Sequence, residues 1–149
     1  MLLDGVNHVA VITEDTDRLA AFYEDVFDAE RGPSAPTPPD MRLTFLHIGP
    51  HTELNVFQLD GTSQPDPTKA FERGRLDHFG LQAASKEAFD EIRRRLMVRG
   101  ATDGFVTDFG PYLSVFFRDP DGLECEVLVA NPDAVPGVVN PPGTPARGY

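Results

Sequence analysis

VNHVAV at residues 6–11 and LDHFGL at residues 76–81 decide the fold, because both have the pattern of one β-strand with histidine at its third position. Apolar runs of this length, bounded by turn residues, are typical of strands. Each run is followed by a segment with the apolar spacing of an amphipathic helix. The pattern therefore restarts in the middle of the chain, which predicts two copies of one supersecondary unit.

The first copy continues with a helix and further strands. Asp15 or Thr16 can cap the helix, and its apolar stripe is Leu19, Phe22, Tyr23, Val26 and Phe27. The proline-rich segment at residues 33–39 predicts a loop that separates a short edge strand from the next strand, because proline lacks a donor N–H group. Residues 42–48 and 53–59 then predict two strands.

The second copy repeats that order. Ser85 caps a helix that Gly100 ends, and the apolar stripe of this helix is Ala88, Phe89, Ile92 and Leu96. Three more strands are predicted, at Thr102 to Asp108, Tyr112 to Arg118 and Glu124 to Ala130. Each copy is thus a strand, a helix and three strands.

The copies define the organisation of the chain. We predict one domain over residues 1–130, made of a first module at 5–60, a linker at 61–75 and a second module at 76–130. Residues 131–149 form a tail rich in proline and glycine, with too little apolar surface to order itself. We expect the tail to drape over the domain or to be disordered.

Composition limits the partners of the chain. The net charge of −11 repels phosphate backbones and anionic membrane surfaces, which argues against nucleic acid and membranes as partners. No apolar run approaches a bilayer span and no secretory signal opens the chain, so a cytoplasmic protein is expected. Cys125 is the single cysteine, which leaves neither an intrachain disulfide nor a cysteine cluster for zinc.

Strand alternation places three side chains of interest. His8 and His78 occupy equivalent positions of the two copies and point away from the helices, because successive residues of a strand face opposite sides. Glu126 lies deep in the last strand, where a carboxylate is normally excluded. A bound metal with two imidazole ligands would compensate that buried charge.

Together, the two repeats with their strand histidines and the segment FRDPDGLECE at residues 117–126 resemble the vicinal oxygen chelate superfamily. That superfamily includes glyoxalase I, fosfomycin-resistance proteins, extradiol dioxygenases and bleomycin-binding proteins, and the resemblance covers residues 5–130. It implies an α+β fold of two βαβββ modules, forming a curved mixed sheet around a concave pocket for metal and substrate. It also implies that His8, His78 and Glu126 hold one divalent metal, for which Fe, Mn, Ni, Co and Zn are candidates.

The sequence departs from the glyoxalase pattern at one ligand position. Glyoxalase-type members carry a fourth ligand, a glutamate, on the last strand of the first module, where this chain has LNVF at residues 54–57. Asn55 stands at that position, and Glu53 lies on the same face one step outward. We treat both as candidate catalytic residues; Glu53 is a candidate base or a charge at the rim. Tyr112, Ser114 and Phe116 share one face of their strand and either line the pocket or form a core stripe.

These residues support three hypotheses for function. The first is a divalent-metal enzyme, a lyase, isomerase or transferase, that chelates two neighbouring oxygens of a small-molecule substrate. The second is an extradiol-type Fe(II) dioxygenase, which the count of two histidines and one carboxylate supports. The third is a metal-free protein that binds a drug or metabolite and confers resistance. In each case we expect a homodimer, because the edges of the sheet need cover.

Overall fold

The computed structural model describes residue 2 and residues 6–36, 41–64 and 76–149. The chain divides into two compact units, Met1–Gln64 and Pro65–Tyr149. Among the described residues, each unit has one helix and one four-stranded mixed sheet, so the predicted α+β architecture of two βαβββ modules is confirmed. Of the predicted linker, only residues 61–64 lie within the described part of the chain.

The first unit has the predicted order of elements. These are β1 (Val9–Thr13), α1 (Thr16–Phe27), β2 (Glu30–Pro36), β3 (Arg42–His47) and β4 (Glu53–Gln58). The sheet has the order β1-β4-β3-β2, with β1 parallel to β4 and the other pairs antiparallel. Parallel pairing of β1 with β4 requires a long crossover connection, and the segment that contains α1, β2 and β3 provides it.

The helix of the first unit packs on the sheet through the predicted stripe. Asp15 is the N-cap, and its side chain accepts a hydrogen bond from the backbone N–H of Arg18 at 3.0 Å. The buried side chains of the helix are Thr16, Leu19, Ala20, Phe22, Tyr23 and Val26. Phe27 stays partly exposed and stacks on Tyr23, with ring centroids 5.6 Å apart. The stripe is therefore confirmed except at its last residue.

The predicted loop at residues 33–39 is wrong in its first half. Strand β2 continues to Pro36 and, among the described strands, pairs only with β3, so it is an edge strand. Its register shifts between Arg31 and Ser34, a bulge that takes Pro33 out of the hydrogen-bond ladder. A strand that is paired on one side only tolerates proline, because the missing N–H need not serve the ladder. Residues 37–39 lie outside the described residues.

The second unit repeats the topology of the first. Its elements are β5 (Phe79–Gln82), α2 (Lys86–Val98), β6 (Val106–Asp108), β7 (Tyr112–Arg118) and β8 (Glu124–Ala130), in the sheet order β5-β8-β7-β6. The bounds of the last two strands match the prediction, whereas the predicted strand from Thr102 is too long. Thr102 and Asp103 accept hydrogen bonds from backbone N–H groups two residues ahead, and these local turns compete with strand pairing.

The second helix is capped and packed as its sequence indicates. The hydroxyl of Ser85 accepts from the backbone N–H of Ala88 at 3.1 Å. Phe89 and Leu96 are fully buried, while Ala88 and Ile92 of the predicted stripe are only half-buried. The helix ends before Gly100, whose φ of +65° is in the left-handed region that glycine adopts at low cost.

The tail is ordered and drapes along the second unit. Its backbone pairs with the free edge of β6, through the bonds Asp108 N–H to Thr144 C=O (2.8 Å) and Ala146 N–H to Val106 C=O (3.0 Å). Tyr149 reaches α2, where its hydroxyl donates to Asp90 at 2.8 Å. Of the two expected outcomes, the draped one is observed, and the tail covers an edge that would otherwise expose unpaired backbone groups.

The two helices of the described chain are short amphipathic elements. Neither is long and apolar enough to cross a membrane, among the residues that the structure describes.

Candidate metal centre

His78 stands just before β5, and its ring is oriented by the residue that precedes it. Its Nδ1 lies 2.9 Å from Oδ2 of Asp77. This hydrogen bond raises the pKa of His78, with burial opposing it and the charge of Glu126 adding to it. A carboxylate on Nδ1 holds the proton on that nitrogen, so in the neutral ring Nε2 carries the free lone pair.

Glu126 lies in the middle of β8 with its two carboxylate oxygens in different environments. Its side chain is only 13% exposed, and Oε1 lies 3.6 Å from Nε2 of His78. Oε2 accepts a hydrogen bond of 2.7 Å from the hydroxyl of Ser114. Gly80 is the register partner of Glu126, and a Cβ built on Gly80 would lie 3.2 Å from Oε1. The glycine therefore leaves room for the carboxylate.

The donor set of this pair fits a divalent cation. An imidazole nitrogen and a carboxylate oxygen that face each other are borderline and hard ligands, which first-row divalent metals accept together. Each ligand has an outer hydrogen bond that orients it: Nδ1–H of His78 donates to Asp77, and the hydroxyl of Ser114 donates to Glu126. Such outer partners accompany metal-ligating histidines and carboxylates in proteins.

His8 belongs to the first unit and has the same local arrangement as His78. Its Nδ1 lies 2.8 Å from Oδ1 of the preceding residue, Asn7. The repeat thus keeps the orientation of the ring, with an amide in place of the carboxylate of Asp77. Among the described residues, no group of three or more His, Cys, Asp and Glu side chains forms a metal site. The structure brings together His78 and Glu126, within one compact unit.

Asn55 has the place in β4 that Glu126 has in β8. Ala10 and Asn55 pair across the parallel strands of the first unit, as Gly80 and Glu126 pair across those of the second. Oδ1 of Asn55 is buried and has no hydrogen-bond partner. An unpaired buried amide oxygen costs free energy, and a bound ligand with a donor group would remove that cost.

Glu53 lies opposite His47 at the end of its strand pair. Its Oε2 is 3.5 Å from Nδ1 of His47, and both side chains are partly exposed. The corresponding pair in the second unit is Glu124 with Arg118, which form an ion pair. Glu53 is thus a carboxylate beside an imidazole, whereas Glu124 is a carboxylate that a guanidinium neutralises.

The three residues predicted to share a face of β7 do so, with different exposure. Tyr112 and Phe116 are 46% and 37% exposed, whereas Ser114 is fully buried. The opposite face of this strand packs in the core, and its residues are Leu113, Val115 and Phe117. The rings of His78 and Phe116 form a T-shaped contact, with ring centroids 5.9 Å apart. The face that holds His78 and Glu126 therefore also carries exposed aromatic surface.

The sequence analysis did not identify the hydrogen-bond partners of His78 and Glu126, which are Asp77 and Ser114. Asp77 precedes His78 as Asn7 precedes His8, so the repeat itself carried a signal that was available. The contact between Ser114 and Glu126 had no such signal. It depends on the register of two antiparallel strands, in which Ser114 pairs with Leu128 and reaches Glu126 diagonally.

Comparison with known proteins identifies the family of the chain. The family model described as the glyoxalase/bleomycin resistance protein/dioxygenase superfamily matches residues 5–127. No curated protein matches the chain at a significant level.

Several solved structures share the fold. A glyoxylase/bleomycin resistance protein/dioxygenase domain from Frankia sp. EAN1pec has a TM-score of 0.72 at 21% identity, over 88% of this chain and 95% of that chain. The fosfomycin resistance protein FosX from Listeria monocytogenes, crystallised with Mn(II) and sulfate, has a TM-score of 0.64 at 20% identity, over 87% and 95%. Lactoylglutathione lyase from Agrobacterium tumefaciens has a TM-score of 0.60 at 26% identity, over 87% and 96%.

The family model covers most of the chain, and the solved structures share the fold described above. The chain therefore belongs to the glyoxalase/bleomycin resistance protein/dioxygenase superfamily, as its resemblance to vicinal oxygen chelate proteins predicts.

Proposed function

We propose that the chain is a divalent-metal-dependent enzyme that acts on a small molecule through two neighbouring oxygens of that molecule. The observation that carries the proposal is the approach of Nε2 of His78 to Oε1 of Glu126 at 3.6 Å, on a sheet face of the second unit. Both donors are oriented by outer hydrogen bonds. A cation between them would compensate the largely buried carboxylate.

We propose His8 as the third protein ligand of the same cation. The support is repeat equivalence: His8 stands just before β1 as His78 stands just before β5, and each ring has its Nδ1 held by the preceding side chain. Two histidines and one carboxylate leave coordination positions open, and substrate oxygens would fill them.

The chemistry divides between the cation and the chain. When bound, the cation supplies a Lewis acid that stabilises negative charge on substrate oxygen. Glu53, an ionisable carboxylate beside His47, is the candidate group for taking a proton. Asn55 is the candidate for holding a substrate hydroxyl or a water molecule, because its buried Oδ1 lacks a donor.

The experiment that tests this proposal is metal binding by the full chain. Protein freed of metal by chelation is titrated with MnCl₂ in a calorimeter. We expect Glu126→Gln and His78→Ala to weaken binding about 100-fold or more, because each removes a ligand. Glu124→Gln is the matched control, since it neutralises a carboxylate on the same strand that is already paired with Arg118. Equal binding by wild type and Glu126→Gln would overturn the proposal.

The same preparation separates the two alternative functions. Wild-type protein that takes up none of Mn, Fe, Co, Ni or Zn, yet binds small aromatic drugs, would be a metal-free resistance protein. Dioxygen consumption with catechols, dependent on Fe(II) and lost in Glu126→Gln, would identify an extradiol dioxygenase instead.

We further propose that the chain is a homodimer. Within their own units, β1 and β5 are end strands of their sheets, each paired on one side only. Edge strands of this kind need cover, and a second copy of the chain would supply it in a two-fold symmetric dimer, which is the commonest oligomer. Light scattering that returns the mass of one chain, 16.4 kDa, at micromolar concentration would contradict the dimer.

A further inference from the structure

The hydroxyl of Ser114 is the buried polar group that lies nearest to the proposed ligand Glu126. Ser114 has no exposed surface, and its Oγ donates to Oε2 of Glu126 at 2.7 Å. A short hydrogen bond to an ionised acceptor is about twice as strong as one between neutral groups. This bond therefore holds one particular oxygen of the carboxylate.

The remaining surroundings of Glu126 leave only the other oxygen free. Oε1 faces His78, and the absent side chain of Gly80 keeps the space beside Oε1 open. A Cβ on Gly80 would also come within 2.7 Å of Cδ1 of Leu128, so glycine at position 80 avoids crowding both side chains. The carboxylate thus presents Oε1 toward the imidazole, while Ser114 occupies Oε2.

The first unit shows what the same position looks like without a carboxylate. Phe45 pairs with Asn55 as Phe116 pairs with Glu126, so Leu43 is the register equivalent of Ser114. Leu43 offers no hydroxyl, and the neighbouring Oδ1 of Asn55 has no hydrogen-bond partner. Among the described residues, this position is therefore a serine in the second module, where the neighbouring residue is Glu126, and a leucine in the first module, where it is Asn55.

We propose that Ser114 is a positioning residue that limits Glu126 to coordination through Oε1 alone, and thereby favours Mn(II) over Ca(II). The inference rests on the proposed function, in which Glu126 is a metal ligand. Ca²⁺ takes six to eight oxygen ligands and readily accepts a carboxylate through both oxygens. Smaller transition-metal cations with nitrogen ligands need only one. A serine that donates to Oε2 engages one lone pair of that oxygen and restrains the carboxylate, which disfavours the two-oxygen binding that Ca²⁺ readily uses.

The test compares Mn(II) and Ca(II) binding by full-length variants. Ser114→Ala, and Ser114→Cys with its weak donor, should each weaken Mn(II) binding about tenfold or more while leaving or improving Ca(II) binding. Ser114→Thr keeps the hydroxyl and should restore the wild-type preference. Thr44→Val is the matched control, because it removes a fully buried strand hydroxyl that bonds Ser34 in the first unit. A structural loss alone would lower stability in all of these variants without changing the ratio of the two affinities.

The outcomes separate this inference from the proposed function. If Glu126→Gln abolishes Mn(II) binding but Ser114→Ala and Ser114→Cys keep the wild-type ratio of Mn(II) to Ca(II) affinity, the role of Ser114 is wrong and the metal site stands. If Glu126→Gln leaves Mn(II) binding unchanged, the proposed function fails, and the role of Ser114 fails with it. The electron paramagnetic resonance spectrum of bound Mn(II) gives a second readout, since a change from one to two carboxylate oxygens alters its coordination.

Discussion

The two modules share a backbone plan but differ in the charge at its centre. Both modules have a histidine just before the first strand, with Nδ1 hydrogen-bonded to the preceding side chain. In both, a small residue of the first strand, Ala10 or Gly80, pairs with the central residue of the last strand. That central residue is Asn55 in one module and Glu126 in the other. The same sheet topology therefore accepts either a neutral or a charged residue at this central position. The neighbouring side chain differs accordingly, with Leu43 beside Asn55 and Ser114 beside Glu126.

A second difference concerns the outer edge of each sheet. In the first module the edge strand β2 contains prolines and a bulge, which leave few donors for further pairing. In the second module the edge strand β6 is short, and the tail pairs with it through Thr144 and Ala146. The exposed edge strand is thus protected by prolines and a bulge in the first module and by the tail in the second.

The largest expected effect comes from breaking the core of one module alone. Phe89→Ala removes a fully buried ring from α2 and should lower the free energy of unfolding by about 3–5 kcal/mol. Met97→Ala, on the exposed side of the same helix, should change it by less than about 0.5 kcal/mol. Urea unfolding followed by circular dichroism measures both. A loss from Phe89→Ala no larger than that from Met97→Ala would contradict the described core.

Making the second histidine resemble the first should have the next largest effect. Asp77→Asn replaces the carboxylate on His78 by an amide like that of Asn7, so the pKa of His78 should fall in metal-free protein. Because the pKa of His78 is raised in the folded state, its contribution to stability is present at low pH and is lost as pH rises through that pKa. Asp77→Asn should reduce this pH dependence and weaken Mn(II) binding about tenfold or more at alkaline pH.

Nuclear magnetic resonance of the imidazole protons measures the titration of His78, and calorimetry measures the metal affinity. Asp60→Asn, an exposed acid of the first unit, is the control and should leave both unchanged. An unaltered titration of His78 in Asp77→Asn would show that the hydrogen bond between them does not persist in solution.

Making the first module resemble the second should strengthen metal binding. Asn55→Glu adds a carboxylate at the position equivalent to Glu126, so Mn(II) affinity should rise about tenfold, near 1.4 kcal/mol, while native activity falls as a coordination position closes. Asn55→Gln keeps the amide and serves as the control. Unchanged affinity together with full activity in Asn55→Glu would place Asn55 outside the site.

The smallest effect is expected at the tail. Tyr149→Phe removes the hydrogen bond to Asp90 and keeps the ring that Lys86 approaches at 4.6 Å, so it should cost about 0.5–1 kcal/mol of stability. Metal binding should not change. Thermal melting measures the loss, and a melting temperature equal to that of wild type would show that the hydroxyl contributes nothing in solution.

Much of the fold could be predicted because the relevant signals are local. The stripe from Leu19 to Val26 has the period of a helix, and Asp15 and Ser85 are caps because their side chains satisfy nearby backbone donors. The bounds of β7 and β8 could be predicted because the Asp119 to Gly122 turn separates two runs with the composition of strands. The strand through Pro33 could not be predicted, because only the position of β2 at the edge makes proline tolerable there.

The candidate site divides in the same way between sequence and tertiary structure. The resemblance to glyoxalase-type proteins implied that Asn55 stands where a fourth ligand would be. By itself the sequence determined that His8 and His78 are equivalent and that Glu126 faces the opposite side of its strand from Cys125 and Val127. These inferences depend on a repeat and on the two-residue period of a strand. Tertiary structure alone decided that Ser114 holds one oxygen of Glu126 and that the other faces His78. Such contacts join residues on different strands, and they depend on strand register and side-chain rotamers, which the two-residue period of a single strand does not specify.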